Sequence, residues 1–424
     1  MKGLTDFLKN SYTSYHACEN AKQILLDNGF SPLYEQDDWA LCEEGKYFVE
    51  RGGSLIAFTV GSLDDFYYKI VATHTDSPCL KLKDNPFLKG NIYTTLNVER
   101  YGGGLWYSFF DRPLKLAGRL IVNDNGILTQ KTVDSSYLLT IPSLAIHMNR
   151  EANDKFAVNV QVDACPLYSL TDADLDSAAL LPEMEENEVI ASELYLVNAD
   201  MPYTFGKNDE FLASPRIDNL ACTFAALNAV LNSELSSGVC VAAFLDNEEV
   251  GSLTATGADG DFFENVLRRI AYSFRFDDNE YYKALASSFM LSADNAHAVH
   301  PNHPEKADPS NKTKMGGGIV IKSHANKAYI TDSLSAAVVR TVFGNANVKH
   351  QTFFNRSDMA SGSTLGAAMQ RHASVRGADI GIAQLAMHSA CECIATSDYD
   401  EMARGLTAFF AATIRFTKDG VLVQ

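Results

Sequence analysis

Apolar positions in this 424-residue chain follow two periodicities in alternation, and the alternation predicts strands interleaved with helices. Short apolar runs typical of buried strands occur at 54–61, 66–78, 239–245, 287–294 and 316–322. Apolar residues at helical spacing occur at 17–28, 219–232, 331–343 and 364–373. The segment 378–395 predicts a strand, a loop and then a helix. Such alternation is typical of an α/β protein, here an α/β/α sandwich with a mixed sheet.

The pattern changes between about residue 86 and residue 215. Short β-like stretches such as "GRLIVNDNG" and "FAVNVQV" follow one another with turns between them. We therefore expect a mainly β domain at 86–215, inserted between two parts of the α/β domain at 1–85 and 216–424.

Polar side chains follow several predicted strands directly. The residues that follow strands are His74, Asp76, Glu248, Glu249, Asp294 and His388. Asp218, at the head of the 219–232 helix, is a further candidate. In open α/β sheets, ligands bind outside the carboxyl ends of the strands. We expect these side chains to meet at one edge of the sheet.

The residue types at this edge predict a metal site. Imidazoles and carboxylates together suit zinc, with cobalt or manganese as alternatives. Two histidines and several carboxylates exceed the needs of one tetrahedral ion and suit two metals about 3.5–4 Å apart. One of Glu248 and Glu249 could bind a metal while the other takes a proton from the metal-activated water. Asp76 could hold the second imidazole nitrogen of His74.

Each of these residues also has a structural explanation. Asp218 could cap its helix, Asp294 could start a turn, and His74 could be an ordinary hydrogen-bonded histidine. Most of the histidines His297, His300 and His303 are expected at the surface or just behind the metal ligands. The adjacent glutamates are hardest to explain structurally, because burying one carboxylate without a partner is costly.

The net charge and the composition of the chain restrict the possible partners and the possible location of the protein. The net charge of -18 argues against nucleic acid and anionic membranes as partners. An acidic substrate would be repelled overall, so a cation at the site would have to attract it. The chain has no apolar run of about 18 residues and no signal-peptide core at its start. Eight scattered cysteines without a CxxC pair suggest reduced thiols in a cytoplasmic protein.

Five segments resemble, in order, the motifs of the aspartyl aminopeptidase family. They are "ATHTDSP" (72–78), "SPRIDNLACTFAAL" (214–227), "DNEEVGS" (246–252), "SADNAHAVHPN" (292–302) and "QLAMHS" (384–389). The resemblance extends from about residue 14 to the C-terminal helix. It implies a metallopeptidase with two co-catalytic metal ions per subunit.

The resemblance also implies a role for each site residue. Those implied as metal ligands are His74, Asp218, Glu249, Asp294 and His388. Asp218 is implied as the bridge between the metals, Glu248 as the general base, and Asp76 as the carboxylate that supports His74.

The family fold implies a catalytic α/β domain interrupted by a β-rich dimerisation domain, assembled into a tetrahedral dodecamer. His147 resembles a residue that reaches a neighbouring subunit's active site. Lys322 matches a lysine associated with the substrate's side chain, and Tyr329 is expected to line the same pocket.

We therefore expect an aminopeptidase that removes N-terminal Asp or Glu from peptides. Ser143 stands where family members often have a second histidine, and the loop "RSDMASGST" also departs from the common pattern. These departures bear on which N-terminal residue the enzyme prefers and not on whether it hydrolyses peptides. The alternatives are an aminopeptidase of broad or neutral specificity, an N-acyl amino acid deacylase, or a catalytically silent assembly protein.

Overall fold

The computed structural model describes residues 1–88, 92–170, 175, 177–233 and 237–424. Its α-helices are α1 (Lys2–Asn10), α2 (Ser14–Asp27), α3 (Val160–Asp163), α4 (Pro182–Glu186), α5 (Ile217–Leu231), α6 (Phe262–Ser273), α7 (Asp278–Ser287), α8 (Ser333–Asn345), α9 (Leu365–His372) and α10 (Thr396–Ala411). Its strands are β1 (Ser31–Leu33), β2 (Lys46–Arg51), β3 (Ser54–Val60), β4 (Tyr68–His74), β5 (Cys79–Leu88), β6 (Thr94–Tyr101), β7 (Leu114–Asp124), β8 (Ile127–Asp134), β9 (Leu167–Ser169), β10 (Val189–Asn198), β11 (Tyr203–Phe205), β12 (Phe211–Ser214), β13 (Val239–Leu245), β14 (Phe289–Ala293), β15 (Ala296–His297), β16 (Ile319–Lys322), β17 (His350–Phe353), β18 (Arg376–Gly381), β19 (Ala383–Leu385), β20 (Glu392–Ala395), β21 (Ile414–Thr417) and β22 (Gly420–Val423). None of the helices in these ranges is long and apolar enough to cross a membrane.

A nine-stranded mixed sheet forms the centre of the molecule. Its strand order is β1-β2-β3-β13-β4-β14-β18-β16-β17. The four central strands β13, β4, β14 and β18 run parallel, and β3 and β16 flank them in the opposite direction. Every residue of β4, β13 and β14 is buried. Parallel strands are covered on both faces, which explains why "VCVAAFL" is an unbroken apolar run.

Helices cover both faces of this sheet. Successive residues of a strand point to opposite faces, so Phe244 packs in one core while its neighbour Ala243 packs in the other. The first core contains residues of α1, α2, α5, α8 and α10, and the second contains residues of α6, α7 and α9. The predicted α/β class, an α/β/α sandwich around a mixed sheet, is confirmed.

Within the described ranges, three smaller sheets lie outside the central one, and the smallest is the hairpin β21-β22. An antiparallel sheet of order β8-β7-β10-β5-β6-β9 has its own apolar core, which includes Leu116 and Leu196. A five-stranded sheet of order β11-β12-β20-β19-β15 joins strands from before and after residue 216. The proposed domain boundaries at 86 and 215 stay a prediction.

The prediction for 378–395 was wrong in its last part. The apolar stretch leaves the central sheet after Gly381 and enters the five-stranded sheet as β19. The expected helix is instead strand β20, which pairs antiparallel with β12 and places Ile394 opposite Leu212. The helix starts only at Thr396. Pairing with a distant strand decided the conformation of this short segment, which local periodicity cannot show.

Gly381 allows the carbonyl of Asp294 to approach the end of β18. A Cβ atom at residue 381 would lie 2.0 Å from Asp294 O. We therefore expect Gly381→Ala to lower the free energy of unfolding by about 1–3 kcal/mol, because the backbone at Asp294 must move. Denaturant unfolding monitored by fluorescence measures this change.

Gly344→Ala is the matched control. Gly344 lies in α8, and an added Cβ would meet no atom within 4 Å. We expect this substitution to raise the free energy of unfolding by about 0.5–1 kcal/mol. Wild-type stability in Gly381→Ala would contradict the close approach described here.

Candidate metal centre

Three neighbouring parallel strands bring polar side chains to one edge of the central sheet. His74 is the last residue of β4. Glu248 and Glu249 lie in a 3-10 turn just after β13, and Asp294 follows β14 directly. The order β13-β4-β14 places these three strand ends side by side. The strand-end argument therefore located these side chains correctly, although the glutamates occupy a turn and not a strand.

Asp218 and His388 reach the same place from other elements. Asp218 lies in the first turn of α5 with non-helical φ/ψ of -80° and 110°, and the N-cap position is Arg216. Both carboxylate oxygens of Asp218 face histidines, so helix capping does not explain this residue. His388 lies in the loop between β19 and β20 with φ of 64° and not at the end of one long strand.

Asp218 lies at the middle of the cluster. Its Oδ1 is 3.4 Å from His74 Nε2, which is also 3.5 Å from Asp294 Oδ1. Its Oδ2 is 3.8 Å from His388 Nε2, which is 3.4 Å from Glu249 Oε1. Each oxygen of Asp218 thus faces a different histidine. The structure brings together all five residues that the sequence suggested as ligands.

The residues present fit a cation of the zinc type. Ligand atoms of His74, Asp218 and Glu249 all lie within 4.8 Å of one another. Asp218 Oδ1 is buried and receives no hydrogen bond from the described residues. A buried carboxylate oxygen without a partner is costly, and a cation satisfies it. Imidazole and carboxylate oxygen are both zinc ligands.

The cluster perturbs the acidity of its members strongly. Burial, reinforced by the negative charges of Asp294 and Asp76, raises the pKa of Glu248 to about 8. Burial and the charge of Asp218 raise the pKa of Glu249 well above its usual range. Carboxylates gathered this closely favour the binding of positive charge, in the form of protons or of metal ions.

Asp76 does more than support one histidine. Its backbone carbonyl lies 3.0 Å from His74 Nδ1, and its carboxylate oxygen Oδ1 lies 3.4 Å from the same atom. The two carboxylate oxygens also accept hydrogen bonds from the backbone N–H groups of Glu248 and Glu249, each at 3.1 Å. The Tyr101 hydroxyl donates to Oδ2 at 2.8 Å. Asp76 therefore orients the glutamate turn as well as His74.

The predicted substrate residues have different surroundings. Lys322 is buried, with Nζ 3.2 Å from Asp294 Oδ2 and 5.2 Å from the ring centroid of Tyr329. Its charge is therefore paired with Asp294 and is not free. His147 is exposed and, within the described residues, forms no hydrogen bond or ion pair with the cluster. Its contribution to a neighbouring subunit stays a prediction.

Sequence reasoning missed one residue at the centre, Glu392, and expected His297 at the surface or behind the ligands. His297 is exposed at the end of β15, three residues after Asp294, which agrees with that expectation. It also lines a cavity of about 240 Å³ with Phe353 and Arg356. Glu392 is 2% exposed and contacts the backbone of two site residues. A charged residue within an apolar strand was the available signal for Glu392.

An α/β sandwich with imidazoles and carboxylates at the carboxyl edge of its parallel strands is an arrangement that suits a metal-dependent hydrolase. The sequence pattern of one family, described as "Aminopeptidase I zinc metalloprotease (M18)", matches residues 7–410. The chain therefore belongs to the M18 family of aminopeptidases and is a zinc metallopeptidase. The resemblance to this kind of enzyme is confirmed.

Individual relatives agree with the family assignment. A probable M18 family aminopeptidase 2 from Clostridium acetobutylicum is 40% identical over 96% of this chain and 98% of the relative. A chain of the Ape4 and Nbr1 complex, determined by cryo-EM, is 34% identical with a TM-score of 0.92, covering 96% of this chain and 85% of that chain. The mApe1 dodecamer of S. cerevisiae is 26% identical with a TM-score of 0.82, covering 96% and 95%.

Proposed function

We propose that this enzyme removes acidic residues, Asp or Glu, from the N-termini of peptides with two zinc ions. The observation that carries the proposal is the convergence of five side chains around Asp218, whose oxygens face different histidines. Peptides are the substrate class of the family. The metal count, the residue roles and the acidic preference are the parts that we propose.

The arrangement around Asp218 supports two ions that share this carboxylate. His74 and Asp294 lie on the Oδ1 side, and His388 and Glu249 lie on the Oδ2 side. When bound, the zinc ions would act as Lewis acids that polarise the scissile carbonyl and acidify water. The protein's part is to hold the five side chains in place and to exclude competing arrangements.

Glu248 is the residue that we assign to proton transfer. Within the described residues it forms no ion pair with His74 or His388, whereas Glu249 does. Its backbone N–H is held by Asp76, so the turn fixes the position from which the side chain extends. Its carboxylate would accept a proton from water and deliver it to the leaving amine nitrogen.

The acidic preference rests on Lys322. An ammonium group has three N–H donors, and two of them face Asp294 Oδ2 at 3.2 Å and Asn295 O at 3.0 Å. The third would be available to a substrate carboxylate. This cation would overcome the repulsion that a chain with a net charge of -18 exerts on an acidic substrate.

A neutral or broad specificity is the second candidate. The charge of Lys322 is already balanced by Asp294, which weakens its attraction for another carboxylate. The nearby cavity also has apolar lining from Phe353, Phe354 and Met359. These contacts would suit an apolar side chain.

We also propose that the enzyme works as a homo-oligomer, with 86–215 as the dimerisation domain. The related mApe1 of S. cerevisiae is a dodecamer. Large apolar side chains in this segment are exposed, including Leu144 at 65% and Met148 at 77% on either side of His147. Exposed apolar clusters of this kind are typical of interfaces. His147 would thereby reach the active site of a neighbour.

The cysteines support a cytoplasmic location for the enzyme. All eight are free thiols, and several are buried within the cores. Free thiols persist in a reducing compartment. Retention of all eight thiols as reduced groups in protein isolated under thiol-trapping conditions tests this location.

Light scattering of the full-length chain tests the assembly. We expect a particle several times heavier than the 46.4 kDa subunit. Leu144→Asp with Met148→Asp should shift the particle to smaller species, because charge disfavours a buried apolar contact. The exposed pair Leu26→Asp with Leu334→Asp, which lies outside 86–215, is the control. A monomeric wild type would contradict the assembly.

Glu248→Gln should retain zinc but lower kcat by about 10²–10⁴-fold, because the amide cannot accept the proton. Zinc per subunit and turnover of an Asp-containing substrate measure the two effects. The matched variant Glu249→Gln should instead lose zinc, since this residue lies against His388. Near wild-type turnover in Glu248→Gln would eliminate it as the base.

Lys322→Met removes the ammonium group while keeping much of the side chain. We expect kcat/KM for N-terminal Asp to fall about 10–100-fold more than for N-terminal Asn, because a charge-assisted hydrogen bond is lost. Lys327→Met, five residues along the chain, is the control, since the Lys327 ammonium group donates to Thr331 O and contacts no residue of the cluster within the described part of the chain. Equal losses on both substrates would show that Lys322 only positions Asp294.

A further inference from the structure

Glu392 holds the backbone of two site residues at once. Its Oε2 accepts a hydrogen bond from the backbone N–H of Asp218 at 2.8 Å. Its Oε1 accepts one from the backbone N–H of His388 at 2.7 Å. Glu392 is 2% exposed, so its carboxylate is shielded from water. Glu392 lies at the start of β20 and links this strand to α5 and to the β19–β20 loop.

Both backbone N–H groups that donate to Glu392 belong to residues with irregular backbone conformation. Asp218 has φ/ψ of -80° and 110° within the first turn of α5, and His388 has φ of 64°. Left-handed φ is uncommon for residues other than glycine and needs support from the surroundings. Hydrogen bonds from amides to a carboxylate are about twice as strong as neutral ones. Glu392 supplies this support to both residues.

A second connection ties the Asp294 side of the site to the same region. Asn295 directly follows Asp294, and its Nδ2 donates to Gln384 Oε1 at 2.5 Å and to Ile217 O at 3.1 Å. Ile217 directly precedes Asp218 in the chain. The backbone of Asp294 is therefore fixed relative to that of Asp218 through buried side chains.

Glu392 has a counterpart in Asp76, which supports the glutamate turn of the same cluster. Asp76 accepts the backbone N–H groups of Glu248 and Glu249 in the same way. Two buried carboxylates thus accept hydrogen bonds from four backbone N–H groups, and each of these N–H groups belongs to a residue of the site. The sequence identified Asp76 but not Glu392.

We propose that Glu392 is a positioning residue that sets the orientation of Asp218 and His388 toward the metal ions. This inference rests on the proposed ligand roles of these two residues. Its carboxylate fixes the two backbones, and the side chains then extend toward each other, with His388 Nε2 3.8 Å from Asp218 Oδ2. The alternative is that Glu392 only joins two secondary-structure elements.

The chain offers a matched control for that alternative. Asp398 is 1% exposed and accepts the backbone N–H groups of Gly316 and Gly318 at 2.7 and 2.8 Å. It is therefore also a buried carboxylate that holds two amides. It fixes the loop before β16, at the end of that strand opposite to Lys322. Asp398→Asn therefore reports the structural effect alone.

The test compares Glu392→Gln with Asp398→Asn in the full-length protein. The glutamine presents an NH₂ group to one of the two amides, so one hydrogen bond is lost. We expect the zinc dissociation constant of Glu392→Gln to rise about 10–100-fold and the visible spectrum of the cobalt-substituted enzyme to change. The kcat should fall with little change in KM. Asp398→Asn should lower the thermal midpoint but keep wild-type zinc affinity and cobalt spectrum.

Amide hydrogen exchange gives a readout that does not depend on metal. In the metal-free protein, exchange at Asp218 and His388 should be faster in Glu392→Gln and unchanged in Asp398→Asn. If Glu392→Gln fails to fold, Glu392→Asp replaces it, because withdrawing the carboxylate by one methylene group should shift all readouts in the same direction.

Wild-type zinc affinity and cobalt spectrum in a folded Glu392 variant would overturn the inference, even if activity fell. Unchanged exchange at both amides would overturn it as well. Neither result would affect the proposed function. A wild-type enzyme that binds no zinc would instead refute the proposed function, and the exchange measurement would still decide whether Glu392 holds the two amides.

Discussion

The site depends on the burial of several carboxylates close together. Each carboxylate loses hydration, and each repels its neighbours, so the folded chain must supply compensation. The structure does this in three ways. Backbone N–H groups donate hydrogen bonds to Asp76 and Glu392, Lys322 pairs with Asp294, and zinc would supply the positive charge that the remaining carboxylates require. The enzyme's metal chemistry thus follows from an electrostatic problem that the fold itself creates.

The central sheet makes this concentration of charge possible. The parallel strands β13, β4 and β14 are buried along their whole length, so their apolar packing holds the strand ends rigidly. A parallel sheet brings the carboxyl ends of neighbouring strands to one edge. The remaining side chains of the cluster come from a kinked helix start and a loop in another sheet, and Glu392 connects these two segments. Rigid strands and anchored loops together bring residues far apart in sequence into one cluster.

The sequence predicted the parts of this arrangement that have a local signal. Strand β13 matched its predicted bounds because an apolar run buried on both faces ends abruptly at charged residues. His74, Asp294 and the two glutamates followed from the same signal. Helix α1 was not predicted, and β20 was expected to be a helix. Helix α1 has Leu4, Phe7 and Leu8 at helical spacing, so its local signal was available and was overlooked. Strand β20 depends on pairing with a distant strand, and the hydrogen bonding of Glu392 depends on residues distant in sequence, which local periodicity cannot show.

Zinc titration of the metal-free enzyme by calorimetry, paired with Asp218→Asn, tests the central claim most directly. We predict that the wild type binds two zinc ions per subunit. Asp218→Asn should lose high-affinity binding at both positions, because the two oxygens of Asp218 face both halves of the cluster. Undiminished binding of two ions by Asp218→Asn, or a wild type that binds none, would contradict the account.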